Sequence, residues 1–316
     1  MFGRKFLLSV AALAIAAALV APPAHAGGIS LPPQAAQALD QIYAGNPGTG
    51  IAAARSIEQS DPSNPLGYAI EAEARWWKIY CASCEVQWGM VDAWKGGKGL
   101  DGDADLKLAE KVVQLASAHL AKQDSAEMHL YAGMGWALQA RLYGLREERR
   151  KTARSGVRAR SEFLRALQLD PHLADADVGL GLYNYYVDTL SPLVKLLRVF
   201  MGIPGGSKQE GVRQLEIGME HGVLLPVVAR FYLAKNLRTY DHRYDLAMSV
   251  AEPLATQYPH NSVFLLLVGN LNAELGHNAA AADYFRAALS AVNPDPACAA
   301  RVATIANEFL SKNTQP

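Results

Sequence analysis

The sequence predicts an all-α protein, an α-solenoid of about five to six helical hairpins with insertions, on three observations. Six stretches repeat one pattern, a small or apolar residue followed by others four and seven positions on: Gly50/Ala54/Ile57, Ala109/Val113/Ala116, Ala159/Phe163/Ala166, Gly211/Leu215/Gly218, Ala247/Ala251/Leu254 and Ala281/Phe285/Ala288. That spacing puts all three side chains on one helix face, where small residues let a partner helix come close. In three sets a proline follows, at Pro62, Pro171 and Pro259, and stops the helix. First positions lie 59, 50, 52, 36 and 34 residues apart, so the C-terminal pairs approach the unit of about 34 residues usual for helical repeats and the earlier ones carry insertions.

Composition supports an ordinary folded chain. The 316 residues are 50% hydrophobic and 19% charged, enough to bury a large core. With 30 basic and 30 acidic side chains the formal charge is zero, and the densest basic stretch, Arg146 to Arg160, is interrupted by Glu147 and Glu148. A solvated helix face explains it better than a nucleic-acid patch, so no nucleic-acid partner is expected.

Elements can be justified in chain order. Arg4 and Lys5 precede an uncharged apolar run from Phe6 to Val20, then Pro22, Pro23 and Ala24-His25-Ala26. This is the form of a signal peptide over residues 1–26, cleaved between Ala26 and Gly27, which leaves 27–316 as a single helical-repeat domain in the periplasm or outside the cell. The run is short for a retained anchor of about 20 apolar residues. Pro32 and Pro33 open a helix to about Tyr43, Asn46-Pro47-Gly48 reads as a turn, and a second helix reaches Gln59 before Asp61-Pro62-Ser63-Asn64-Pro65. A third helix from Leu66 carries Trp76, Trp77 and Tyr80, with Trp88 and Trp94 beyond; at helical spacing such rings read as core, with a stacking platform for a ligand as the other possibility.

Cys81 and Cys84 stand as Cys-Ala-Ser-Cys in this region. In an oxidising compartment the favoured reading is a small disulfide between them, with inert thiols and redox or metal chemistry as alternatives. Glu85 stands where a haem-attachment motif needs histidine, and no second cysteine pair completes a zinc site. Cys298, in an alanine-rich segment, reads as a small buried hydrophobe. The glycines at 96, 97, 99 and 102 form a loop without the Lys-Ser/Thr of a phosphate-binding loop. Asp101, Asp103 and Asp105 alternate but lack the closing glutamate of a calcium loop, so neither a metal nor a cofactor is expected. Asp124 with Glu127, and Ser207 with Glu210, have the cap-x-x-Glu form of a helix start.

The stretch Gly179-Leu180-Gly181-Leu182-Tyr183-Asn184-Tyr185-Tyr186 carries the sharpest binding expectation. Each glycine weakens a helix by about 1 kcal/mol relative to alanine, a cost that makes sense where neighbouring backbones approach. Tyr183 and Tyr186 share a face, and with Asn184 and Arg230 they are the candidate residues for gripping a peptide in a concave groove; filling gaps between repeats is the plainer alternative. Leu193 to Met201 has only Lys195 and Arg198 among apolar neighbours, a stripe too narrow for an exposed helix, so it is expected under adjacent repeats or against a partner or membrane surface.

Val268-Gly269, Gly276, Ala281, Phe285 and Ala288, and Ala159-Phe163-Ala166 with Asp170-Pro171, resemble tetratricopeptide repeats, helix–turn–helix units stacked in a right-handed superhelix. Most units lack the large aromatic usual near the start of the first helix. Gly179 to Tyr186, Leu190-Ser191-Pro192, Gly202-Ile203-Pro204-Gly205-Gly206 and Gly211 resemble a group of exported bacterial tetratricopeptide proteins and, distantly, eukaryotic inclusion-body-clearance tetratricopeptide proteins; this likeness runs from about Ala126 to Gly276. The resemblance implies an architecture and brings no catalytic residue. Hydrolase, zinc-helix and nucleotide fingerprints are absent, the eight histidines lie singly, and Asp175 and Asp177 face different directions on a helix. The expected function is therefore a non-enzymatic, exported scaffold binding a protein or peptide through its concave face, with envelope assembly or transport as the candidate setting; the alternatives are a thiol–disulfide or other enzymatic accessory built on Cys81/Cys84 and a peripheral membrane protein using 193–201.

Overall fold

The computed structural model describes residues 28–83, 99, 101–190, 195, 198–199 and 202–313. The expected signal peptide, Cys84, Trp88, Trp94 and most of the 193–201 segment lie outside these residues. Thirteen helices are found among them: α1 Pro33–Tyr43, α2 Pro47–Ser60, α3 Pro65–Ser83, α4 Asp103–Leu120, α5 Ala126–Leu145, α6 Arg149–Leu169, α7 Ala174–Thr189, α8 Lys208–His221, α9 Pro226–Thr239, α10 Tyr244–Gln257, α11 Ser262–Glu274, α12 Asn278–Ser290 and α13 Pro296–Asn313. They pack in consecutive pairs as a tetratricopeptide-like solenoid. All six small-residue sets fall on the second helix of a pair, the even-numbered α2 to α12, and each packs on the odd-numbered helix before and after it.

The odd-numbered helices form the inner layer, each also touching the next odd-numbered one. Burial on every side explains the composition of two of them: α11 is buried continuously from Ser262 to Asn272, and α9 nearly so from Val228 to Arg238. The array also curls until its ends meet, with α13 packed against α3. Across the interior Trp77 of α3 stands edge-on to Tyr43 of α1, Phe231 of α9 and Phe264 of α11, at centroid distances of 5.9, 5.0 and 5.6 Å. Trp76, Trp77 and Tyr80 are thus core residues, and one end of the concave side is filled rather than open.

Cys81 is bonded to Cys298 of α13, with Cα atoms 5.0 Å apart, so the expected Cys81–Cys84 staple is not made. Helix α3 carries Cys81 toward α13, and the bridge spans 217 residues instead of three. Local spacing could not reveal a partner delivered by curvature of the whole array. Cys298 is accordingly a bridging residue and not merely a small hydrophobe.

Local signals were met unevenly. Pro47 is the first residue of α2, so the expected turn at 46–48 is a helix start, consistent with proline's tolerance there. Ser207 does cap α8, its Oγ accepting from the Glu210 amide at 3.4 Å. At α5 the residue before the first turn is Ser125, whose side chain caps no amide; Asp124 instead receives Arg165 and His129, and Glu127 accepts from the Tyr131 hydroxyl. Asp101 and Asp103 accept from Arg146, and Asp105 from Arg75. Asp175, 1% exposed, accepts from the amides of Val223, Leu224 and Leu225 at 3.0, 2.8 and 2.7 Å and so satisfies the backbone entering α9. Burial pushes its carboxyl pKa up despite those three amides.

Candidate binding cavity

Helix α7 is the element on which the site is built, because its two sides do different things. On one side Gly181 meets α8: a Cβ there would stand 2.9 Å from the Gly211 carbonyl oxygen, and one on Gly211 would stand 2.7 Å from the Gly181 carbonyl oxygen. The sequence expectation of close backbone approach holds at Gly181. Gly179 is different, since its missing Cβ makes room for the ring of Phe163 on α6. Along that second side Leu182, Tyr183, Tyr186, Val187 and Leu190 face a concave space of about 720 Å³. Such a volume lies within the roughly 300–1,000 Å³ of typical ligand pockets. The other walls come from α3, α5, α6 and α9, through residues such as Ala72, Ile79, Leu138, Phe163 and Val228.

The four candidate residues divide accordingly. Tyr183 and Tyr186 both line the cavity, while their hydroxyls donate to chain acceptors, the Pro204 carbonyl at 2.9 Å and Asn236 Oδ1 at 3.0 Å. They therefore present ring surface to the space. Asn184 turns to α8, donating to Gln214 Oε1 at 2.8 Å, and Arg230 reaches α10, donating to the Val250 carbonyl at 3.4 Å. Neither is part of the cavity lining, so the expected quartet is not assembled.

Charged groups missed in the sequence interrupt this apolar lining. Near α3, the Arg141 guanidinium lies over the rings of Trp76 and Tyr232, 5.3 and 5.6 Å from their centroids, and 3.7 Å from Glu73. Trp77 Nε1 donates to the other Glu73 oxygen at 2.9 Å, and Trp76 Nε1 donates to the Tyr232 hydroxyl at 3.0 Å. Burial raises the Glu73 pKa, with Arg141 and Trp77 opposing it. Burial works against the Arg141 charge, but the phenol of Tyr232 and Glu73 keep its pKa above the usual value. At the α6–α7 side, Arg160 lies 5.6 Å from the Tyr183 centroid, and Arg198 also lines the space. Gly156, Arg160 and Phe163 all face inward, spaced like the six sets used to find the repeats; reading Arg146 to Arg160 wholly as a solvated face hid this. A second recess, beside Cys81 and Cys298, holds only about 30 Å³, the share of one water.

No protein-family model matches the chain, and no curated protein does. Among solved structures, a human IFIT1 dimer with PPP-AAAA is similar at 12% identity, over 78% of this chain and 69% of that one, with a TM-score of 0.27. Similarity at that level carries no inference about function.

Proposed function

We propose that this protein is a non-enzymatic, exported binding scaffold that holds an apolar group inside its solenoid. The observation that carries the reading is the cavity of about 720 Å³, walled mainly by aliphatic and aromatic side chains from six of the described helices. A recess of this size leaves aliphatic and aromatic surface that the chain itself does not cover, and an apolar occupant would take that surface out of water. A protein or peptide laid along an open concave groove, as expected from sequence, meets Tyr43, Trp77, Phe231 and Phe264 in contact across that side. The proposal therefore places the bound group within the cavity. Export rests on the leader-like residues 1–26 alone.

An uncharged environment-sensitive dye, N-phenyl-1-naphthylamine, tests this with the mature protein. Saturable fluorescence enhancement near one dye per chain is expected, and the double substitution Ala140→Phe/Ala153→Phe, at two half-buried lining positions, should abolish it while circular dichroism stays helical. Absence of saturable binding to folded wild type, or equal binding to the filled variant, refutes the reading.

A further inference from the structure

Resting on that reading, we propose that the occupant is a single-chain amphiphile with a carboxylate head, its hydrocarbon tail in the cavity and its head at Arg160 and Arg198. Two observations support it. The first is the chemistry of the walls. A peptide segment brings a backbone N–H and C=O with every residue, and each needs a partner once removed from water. The α7 wall offers Leu182, Val187 and Leu190, the tyrosine hydroxyls beside them are already donated to the chain, and a hydrocarbon tail asks for nothing more.

The second is charge. Among the described residues, five cationic side chains line the space, Arg141, Arg149, Arg160, Arg198 and Lys235, against the two carboxylates Glu73 and Glu147. Glu73 is engaged by Arg141 and Trp77, and Glu147 is exposed at the chain surface. Among the described residues, Arg160 Nε and Arg198 Nε and Nη1 are out of solvent with no hydrogen-bond partner, and neither arginine is ion-paired. Buried donors without acceptors are costly, and guanidinium groups match carboxylates in geometry and charge. The Arg160 guanidinium lies 5.6 Å from the Tyr183 ring centroid, and that of Arg198 stands beside Gly205, next to the Pro204 carbonyl to which Tyr183 donates, so both flank one end of the site. One oxyanion there would satisfy donors from α6 and from the segment after α7 together.

The test is displacement of the bound dye by dodecanoate and by dodecanol, which share a chain length and differ in head charge. Dodecanoate is expected to displace at a concentration at least ten-fold lower in wild type. Arg160→Gln/Arg198→Gln should weaken dodecanoate at least ten-fold relative to dodecanol, with both measured against that variant's own dye affinity. Equal potency of the two compounds in wild type overturns the proposal without reference to any variant, as does a folded double variant that keeps the preference. Dye binding without a carboxylate preference sinks this inference alone. Failure of the dye itself to bind removes the cavity-binding reading beneath it.

Discussion

The two sides of α7 use glycine for opposite purposes. Toward α8, Gly181 and Gly211 bring two backbones into contact, and the facing atoms are carbonyl oxygens and amides with nowhere to go. Toward the cavity, Gly179 makes room for an aromatic ring, and that ring borders open space. The same residue type in the same eight-residue stretch thus serves a rigid seam and an adjustable wall. Function follows the second, because only there can a side chain move without separating helices.

The largest expected effect breaks the seam. In Gly211→Val the new Cβ lies 2.7 Å from both the Gly181 oxygen and the Tyr185 amide nitrogen, so α7 and α8 must part. A loss of about 4 kcal/mol, beyond the usual range for overpacking, is expected in urea unfolding. A loss under about 1 kcal/mol would show that the seam is as yielding as the cavity wall.

Next comes the back of the opposite wall. Helix α3 faces the cavity through Ala72 and Ile79 and is tied behind by Cys81 to Cys298. Cys298→Ala should cost about 3 kcal/mol, by release of a long loop in the unfolded chain, read as a lower urea midpoint under non-reducing conditions. Peptide mapping of the unreduced protein should yield a Cys81–Cys298 pair; a Cys81–Cys84 pair would undo this assignment. Dye binding by the folded variant should survive, since the bridge lies behind the wall and not in it.

Gly179→Ala sharpens the contrast at smaller cost. The three atoms nearest its methyl group all belong to the Phe163 ring, which is held between Gly179 and Gly133 and must shift toward the cavity, so destabilisation of about 2 kcal/mol is expected together with a clear loss of dye affinity. A stability loss matching that of Gly211→Val would erase the distinction between the two sides.

Legibility followed the same division. The outer, even-numbered helices each bury one stripe, so their i, i+4, i+7 sets were visible and led to the hairpin array. Inner helices such as α11 are buried all round, which leaves no stripe to read. Tyr183 and Tyr186 were found because they share a face of α7. Arg141 was not singled out, since a lone arginine among apolar residues becomes meaningful only when Trp76, Tyr232 and Glu73 arrive from α3 and α9. Cys298 was read alone for the same reason: its partner is set by how far the array curls, a sum of small rotations that no local window contains.

The smallest effect concerns pH, again behind α3. There Glu71 accepts from Arg55 and Arg75, and Arg75 donates on to Asp105 of α4. Burial works against the Glu71 charge, but the two arginines hold its pKa below the usual value. Its neighbour Glu58 is the group that keeps a proton: burial and the hydrogen bond to Glu71 raise its pKa to about 7. A carboxyl raised in the folded state binds a proton that the unfolded chain has already released, so stability should increase as pH falls from above 7 toward about 4.5. Because Glu58 is only partly buried, the gain is expected below about 1 kcal/mol. Glu58→Gln should stabilise the protein at pH 8 and flatten that part of the pH profile relative to wild type. Affinity for the uncharged dye should stay level between pH 8 and 6, because Glu58 and the cavity lie on different sides of α3. If affinity instead follows the Glu58 titration and the Gln variant abolishes the change, the wall is not independent of its back, and the separation seen at α7 does not extend to α3.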